Sequence, residues 1–252
     1  MCNKLGLVSI SFRDKTPEQI LSAMAETGLS HIEWGSDVHA PKDEPDKLRE
    51  IVQLQQQYGI TCCAYGTYFR LGETPLTELP GYIRAAKLLG TNILRLWCGN
   101  KNAEEYSTEE KAVLFAECKK AAKIGEAEQV VFCMECHNNT YTNRKEAAAA
   151  LMAEVHSKSF RMYWQPNQFR TKEENISYAK QIRAHTENIH VFNWKETQRY
   201  PLSEAVDVWS DYLACLPEDA ALLLEFMPDD RIESLSAEAS ALKEICKRRN
   251  LQ

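Results

Sequence analysis

Four polar residues close four apolar runs in the second half of the chain. They are Glu135 at the end of VVFCME, Gln165 at the end of FRMYWQ, His190 inside NIHVFNW and Glu225 near the end of ALLLEF. An unpaired buried carboxylate is costly, so Glu135 and Glu225 need partners, and one divalent cation would serve both. Two carboxylates, an amide oxygen and an imidazole are mostly hard donors. They suit Mn²⁺, Mg²⁺ or Co²⁺, and Zn²⁺ also fits, although the lack of sulfur argues against a structural zinc site. Each residue taken singly has a plainer reading, such as a salt bridge, a helix cap or a satisfied core histidine. The succession of four is what carries the metal reading.

Convergence needs four neighbouring strands that all end on one side. The chain supplies an alternation that would do this. Short apolar runs start near residues 5, 31, 60, 92, 130, 160, 189 and 221, a period near 30. One strand, one helix and two loops fill such a period. The intervening stretches carry helix signals. Thr16, Ser107 and Thr171, followed at the third position by Gln19, Glu110 and Glu174, predict capping boxes. Gly28, Gly59, Gly90 and Gly125 predict helix ends. Further helices are expected over 46–58, 78–89, 145–156, 202–216 and 232–248.

Eight such units predict a (β/α)8 TIM barrel, a single domain over residues 1–252. The alternative is a doubly wound open sheet, which usually carries a glycine-rich phosphate turn after its first strand. Here that strand leads into SFRDKTPEQ, and no G-x-G-x-x-G, P-loop or G-x-S-x-G motif occurs.

The net charge of −6 argues against a nucleic-acid surface. No apolar run approaches the ~18 residues of a membrane span. The start MCNKLGLVSIS has no secretory apolar stretch, so a cytoplasmic location is expected, with its nine cysteines as thiols. Cys133 and Cys136 have C-x-x-C spacing, but positions i and i+3 of a strand point to opposite faces and cannot share a metal.

Further residues near strand ends are candidates for binding substrate. Alternation puts Arg95 and Trp97 on one side of the fourth strand. Arg95 either binds a hydroxyl, carboxylate or phosphate or pairs with Glu33 inside the barrel. His137, two residues beyond Glu135, either contacts substrate or orients its loop. Trp34, Tyr65, Tyr68 and Trp194 either stack on sugar faces or pack ordinarily. His39 and Lys195 lie in strand-to-helix loops.

The stretches SHIEWG (30–35), MECHNNT (134–140), YWQPN (163–167), HVFNW (190–194) and LLLEF (222–226) resemble the xylose isomerase-like TIM-barrel superfamily, the sugar phosphate isomerase/epimerase group. The resemblance covers essentially the whole chain. It implies one divalent ion held by Glu135, Gln165, His190 and Glu225. It also implies a sugar or sugar phosphate isomerase or epimerase that transfers a proton next to a carbonyl through an enediolate, with Glu135 and Glu225 as the catalytic carboxylates. Related barrels are often homodimers or homotetramers. Many members carry aspartate where Gln165 stands, so this site has one negative charge fewer. That keeps a catalytically silent sugar-binding barrel as an alternative. The endonuclease IV branch is disfavoured, because AYGTYFR lacks histidine and Gln165 and Asn167 stand where an acid and a histidine would be needed.

Overall fold

The computed structural model describes residues 4–249. Eight parallel strands close a barrel: β1 (Leu5–Val8), β2 (His31–Gly35), β3 (Thr61–Leu71), β4 (Ile93–Cys98), β5 (Val131–Glu135), β6 (Phe160–Trp164), β7 (Thr186–Val191) and β10 (Ala221–Leu224). The ring closes where β1 pairs β2 through Gly6 and His31 and pairs β10 through Leu5 and Leu222. β8 (Trp194–Lys195) and β9 (Gln198–Arg199) form an antiparallel hairpin after β7. Each barrel strand is followed by one helix: α1 (Pro17–Thr27), α2 (Pro45–Tyr58), α3 (Leu79–Leu89), α4 (Thr108–Glu128), α5 (Lys145–Val155), α6 (Lys172–Ile182), α7 (Val206–Ala214) and α8 (Leu235–Arg249). None of these helices is long and apolar enough to cross a membrane.

Local chemistry explains the boundaries. The boxes at Thr16–Gln19, Ser107–Glu110 and Thr171–Glu174 are complete, each side chain bonding the other's backbone. Gly28, Gly59 and Gly90 end α1, α2 and α3 in the left-handed conformation. Gly125 does not end α4, which continues to Glu128 and is capped by Gln129. A β-carbon at Gly125 would lie 3.0 Å from Ser159 Cβ and from the Val130 carbonyl. The glycine therefore serves close packing of helix on sheet. The seventh apolar run also differs from expectation: β7 stops at Val191 and Trp194 opens the hairpin.

Two apolar layers result. The larger lies between strands and helices and includes Trp34, Tyr65, Phe132 and Trp164. The smaller fills the barrel with Val8, Ala64, Cys133, Tyr163 and Leu223. Cys133 belongs to the inner layer and Cys136 to the outer one. The inner plug supports a layer of buried polar groups at the carboxyl ends of the strands, where barrel enzymes place their chemistry.

Candidate metal centre

Glu135 ends β5, His190 is the penultimate residue of β7 and Glu225 directly follows β10, and each is almost completely buried. A carboxylate oxygen of each glutamate and a ring nitrogen of His190 lie within 4.8 Å of one another, the one such cluster among the described residues. His190 Nδ1 is 3.4 Å from Glu225 Oε2 and 3.6 Å from Glu135 Oε1. Gln165 Oε1 is 2.9 Å from the same nitrogen. Octahedral bonds of about 2.1 Å put neighbouring donors about 3 Å apart, close to these separations.

Two observations fit a divalent cation at this point. Glu225 Oε2 is buried and has no hydrogen bond; its contact with His190 Nδ1, at 3.4 Å, is an ion pair only. The second is charge. The floor holds three carboxylates, Glu33, Glu135 and Glu225, against one guanidinium, Arg95. Ligation through Nδ1 needs His190 neutral, and in that state the floor sums to −2, which a divalent cation cancels.

The carboxylates are held unequally. Arg95 Nε donates to Glu33 Oε1 at 2.7 Å, and Arg95 Nη1 donates to Glu135 Oε2. Trp97 Nε1 donates to the same Glu135 oxygen. Burial works against ionisation of Glu135, but Arg95 outweighs it and holds the carboxyl well below its usual range. Burial likewise opposes ionisation of Glu33, and Arg95 and His190 override it to about 2. Glu225 has no cation in contact except His190. Burial, with help from the Glu135 charge, pushes its pKa up. Burial would lower His190, but the Glu225 and Glu33 charges lift it to about 10.

Above this floor opens a mouth of about 400 Å³. Its walls include His137, Asn138, Asn167, Arg13, Tyr68 and Trp97, with the Trp97 ring centre 5.4 Å from that of His137. Amides and an imidazole offer both donors and acceptors, as hydroxyl recognition requires. A larger cavity, about 780 Å³, lies around Lys4, Arg161, Lys180 and Arg183. Those residues start strands or end helices, so it opens at the opposite end of the barrel and touches none of the buried acids.

Several expected contacts fall elsewhere. Trp34 and Tyr65 face the helices: Trp34 Nε1 donates to Gln55 Oε1 at 2.7 Å and the Tyr65 hydroxyl to the Ala40 carbonyl at 2.6 Å. Glu33 and Trp34 are consecutive, so only one can point inward. His39 is buried between Ser9 Oγ at 3.0 Å and the Lys15 carbonyl at 3.2 Å, and it stitches loops together outside the mouth. Arg95 lines the mouth, but two of its nitrogens are taken by carboxylates, so its main work is ion pairing rather than substrate binding. Lys195 is exposed on the hairpin, outside the mouth. His137 and Trp97 do line the mouth.

Two residues were missed as members of the site. Glu33 Oε2 lies 3.3 Å from His190 Nε2, so it turns Nδ1 toward the other donors. Its signal was present, a lone acid inside the apolar run SHIEW. Gly66 leaves room for the Glu33–Arg95 pair; a β-carbon there would sit 2.8 Å from both. Nothing in its sequence neighbourhood marks that role.

Comparison with known proteins agrees with this architecture. Among curated proteins none matches. Among solved structures, the probable 3-DHS dehydratase AsbF of Bacillus anthracis superposes with a TM-score of 0.80 at 16% identity, covering 95% of this chain and 98% of that one. An L-ribulose 3-epimerase gives 0.71 at 13% identity, covering 98% and 96%. The IolI protein with a bound zinc atom gives 0.72 at 17%, covering 97% and 96%. At these identities the likeness is one of fold. Residues 21–207, most of the chain, match the family described as xylose isomerase-like TIM barrel, and the protein belongs to that family.

Proposed function

We propose that this barrel is a divalent-metal-dependent isomerase or epimerase of a small sugar or sugar phosphate, working by proton transfer next to a carbonyl. The observation that carries the reading is the convergence of Glu135, Gln165, His190 and Glu225 on one point at the floor of a polar mouth. The structural likeness to an L-ribulose 3-epimerase supports the substrate class.

A bound divalent cation would supply Lewis-acid polarisation of a carbonyl. The chain's residues divide the remaining work. Glu135, clamped by Arg95 and Trp97, is a fixed anion and a weak base. Glu225, lacking such donors and shifted upward, is the better group to take and return a proton. His137, Asn138 and Asn167 would bind hydroxyls, and Tyr68 and Trp97 would pack against the carbon skeleton.

The test is solvent-deuterium incorporation. Purified protein with a known metal content and added Mn²⁺ is incubated in D₂O with a panel of ketoses and their phosphates and followed by NMR. Deuterium should enter at a carbon next to the carbonyl and cease on chelation. A protein that binds one ion and a sugar but exchanges nothing across the panel would be a binding barrel instead.

A further inference from the structure

We infer that the barrel carries an anion subsite beside the mouth, which takes a phosphate or carboxylate at the far end of the substrate; this rests on the reading above. A side chamber of about 290 Å³ lies between the β6–α6 loop, the β8–β9 hairpin and α7. It shares Asn167, Gln168, Phe192 and Trp194 with the mouth, so the two spaces are separated by one layer of side chains.

The charged residues of the chamber are Arg170, Lys172, Lys195 and Glu204, three cations against one acid in a chain of net charge −6. Lys172 is paired with Asp211, and Arg170 donates to the Asn143 carbonyl. Lys195 makes no ion pair among the described residues, and its ammonium lies 5.6 Å from the Tyr200 ring centre. Arg170 and Lys172 flank Thr171, the N-cap of α6, where the helix dipole disfavours positive charge. An anion would relieve that repulsion. Glu173 and Glu174 of the same turn line the neighbouring cleft with Arg144, Lys145 and Arg170, so Arg170 borders both spaces.

The chamber is also held in place. The Glu196 amide at the hairpin tip donates to the Gln168 carbonyl at 3.0 Å. Asn175 brackets Asn167 through its backbone N–H at 2.8 Å and its carbonyl at 3.2 Å. Orientation follows from charge. The metal-loaded floor is neutral, whereas the cations of the side chamber attract an anionic end group. A substrate with charge remote from its carbonyl would therefore enter carbonyl first.

The experiment is titration of the full-length, Mn²⁺-loaded protein with D-ribulose, D-ribulose 5-phosphate and D-glucuronate, with Mn²⁺ binding measured separately. At least one charged ligand should bind about tenfold or more tightly than D-ribulose. Which of the two does so separates a phosphate from a carboxylate subsite. Lys195→Glu should erase the preference, Lys195→Arg should keep it, and neither should change Mn²⁺ affinity. Equal affinities for all three ligands, no binding of any of them, or indifference to Lys195→Glu would overturn the subsite. Failure of the wild-type protein to bind Mn²⁺ would defeat the metal reading instead. Inorganic phosphate, titrated without metal against wild type and Lys195→Glu, then decides the subsite alone: a weakened fit in the variant supports it, and no difference rejects it.

Discussion

The Glu33 carboxylate stands 3.3 Å from Nε2 of His190, on the far side of the ring from Gln165, Glu135 and Glu225. A proton on Nε2 is satisfied by Glu33, which leaves the Nδ1 lone pair for a cation. Removing the charge should loosen that choice. Glu33→Gln is expected to lower Mn²⁺ affinity about 10–100-fold, the usual effect of losing a residue that orients a ligand. Calorimetric titration of the folded variant checks this, and unchanged affinity would strip Glu33 of the role.

The state of His190 yields a second prediction. Its pKa is held at about 10, so without a cation the ring is protonated near neutral pH. Ligation through Nδ1 requires that proton to leave. Metal uptake at about pH 7 should therefore release about one proton per ion, and apparent affinity should rise up to tenfold per pH unit. A weakly buffered titration with an indicator dye reads the release directly. Affinity that stays flat between about pH 6 and pH 8 would place the metal ligand elsewhere.

The fold was legible because its signals are local and repeated. Capping boxes at Thr16, Ser107 and Thr171 and glycine ends at Gly28, Gly59 and Gly90 each act within one turn. The strand-end set was legible for the same reason: a polar residue after an apolar run marks the strand's end. Strand parity was harder. β2 and β3 shift register between Ile32 and Glu33, and β3 shifts again against β4 between Gly66 and Arg70. Such irregularities decide whether Tyr65 points inward, and they depend on neighbouring strands. Gly125 misled because a glycine needed for contact with Ser159 looks the same as one needed for a turn.

The unequal clamping of the two glutamates separates their variants. Glu225→Gln should abolish deuterium exchange and leave unfolding near that of wild type, because no protein hydrogen bond reaches Oε2. Glu135→Gln should destabilise the fold by about 1–3 kcal/mol, since Arg95 and Trp97 lose a charged acceptor. Urea unfolding of both variants, set beside their exchange rates, makes the comparison. Equal effects of the two changes on stability would show that the Arg95 clamp does not distinguish them.

Gly66 ties the fold to the site most directly. A β-carbon there would meet Arg95 Nη2 and Glu33 Oε1, each at 2.8 Å, and both groups are fixed by other buried partners. Neither side chain can swing away without leaving a buried charge unpaired. Gly66→Ala should therefore cost about 1–3 kcal/mol through overpacking and also weaken Mn²⁺ binding, because Glu33 and Arg95 position His190 and Glu135. Gly125→Ala is the matched control. Its β-carbon would be crowded at 3.0 Å, but against Ser159 and the Val130 carbonyl, outside the mouth. A helix interior also gains about 1 kcal/mol from alanine, so its net change in stability should be the smaller. Thermal unfolding and Mn²⁺ titration of the two proteins decide the matter. If Gly66→Ala binds Mn²⁺ as tightly as Gly125→Ala, the Glu33–Arg95 pair is scaffolding alone and does not shape the metal site.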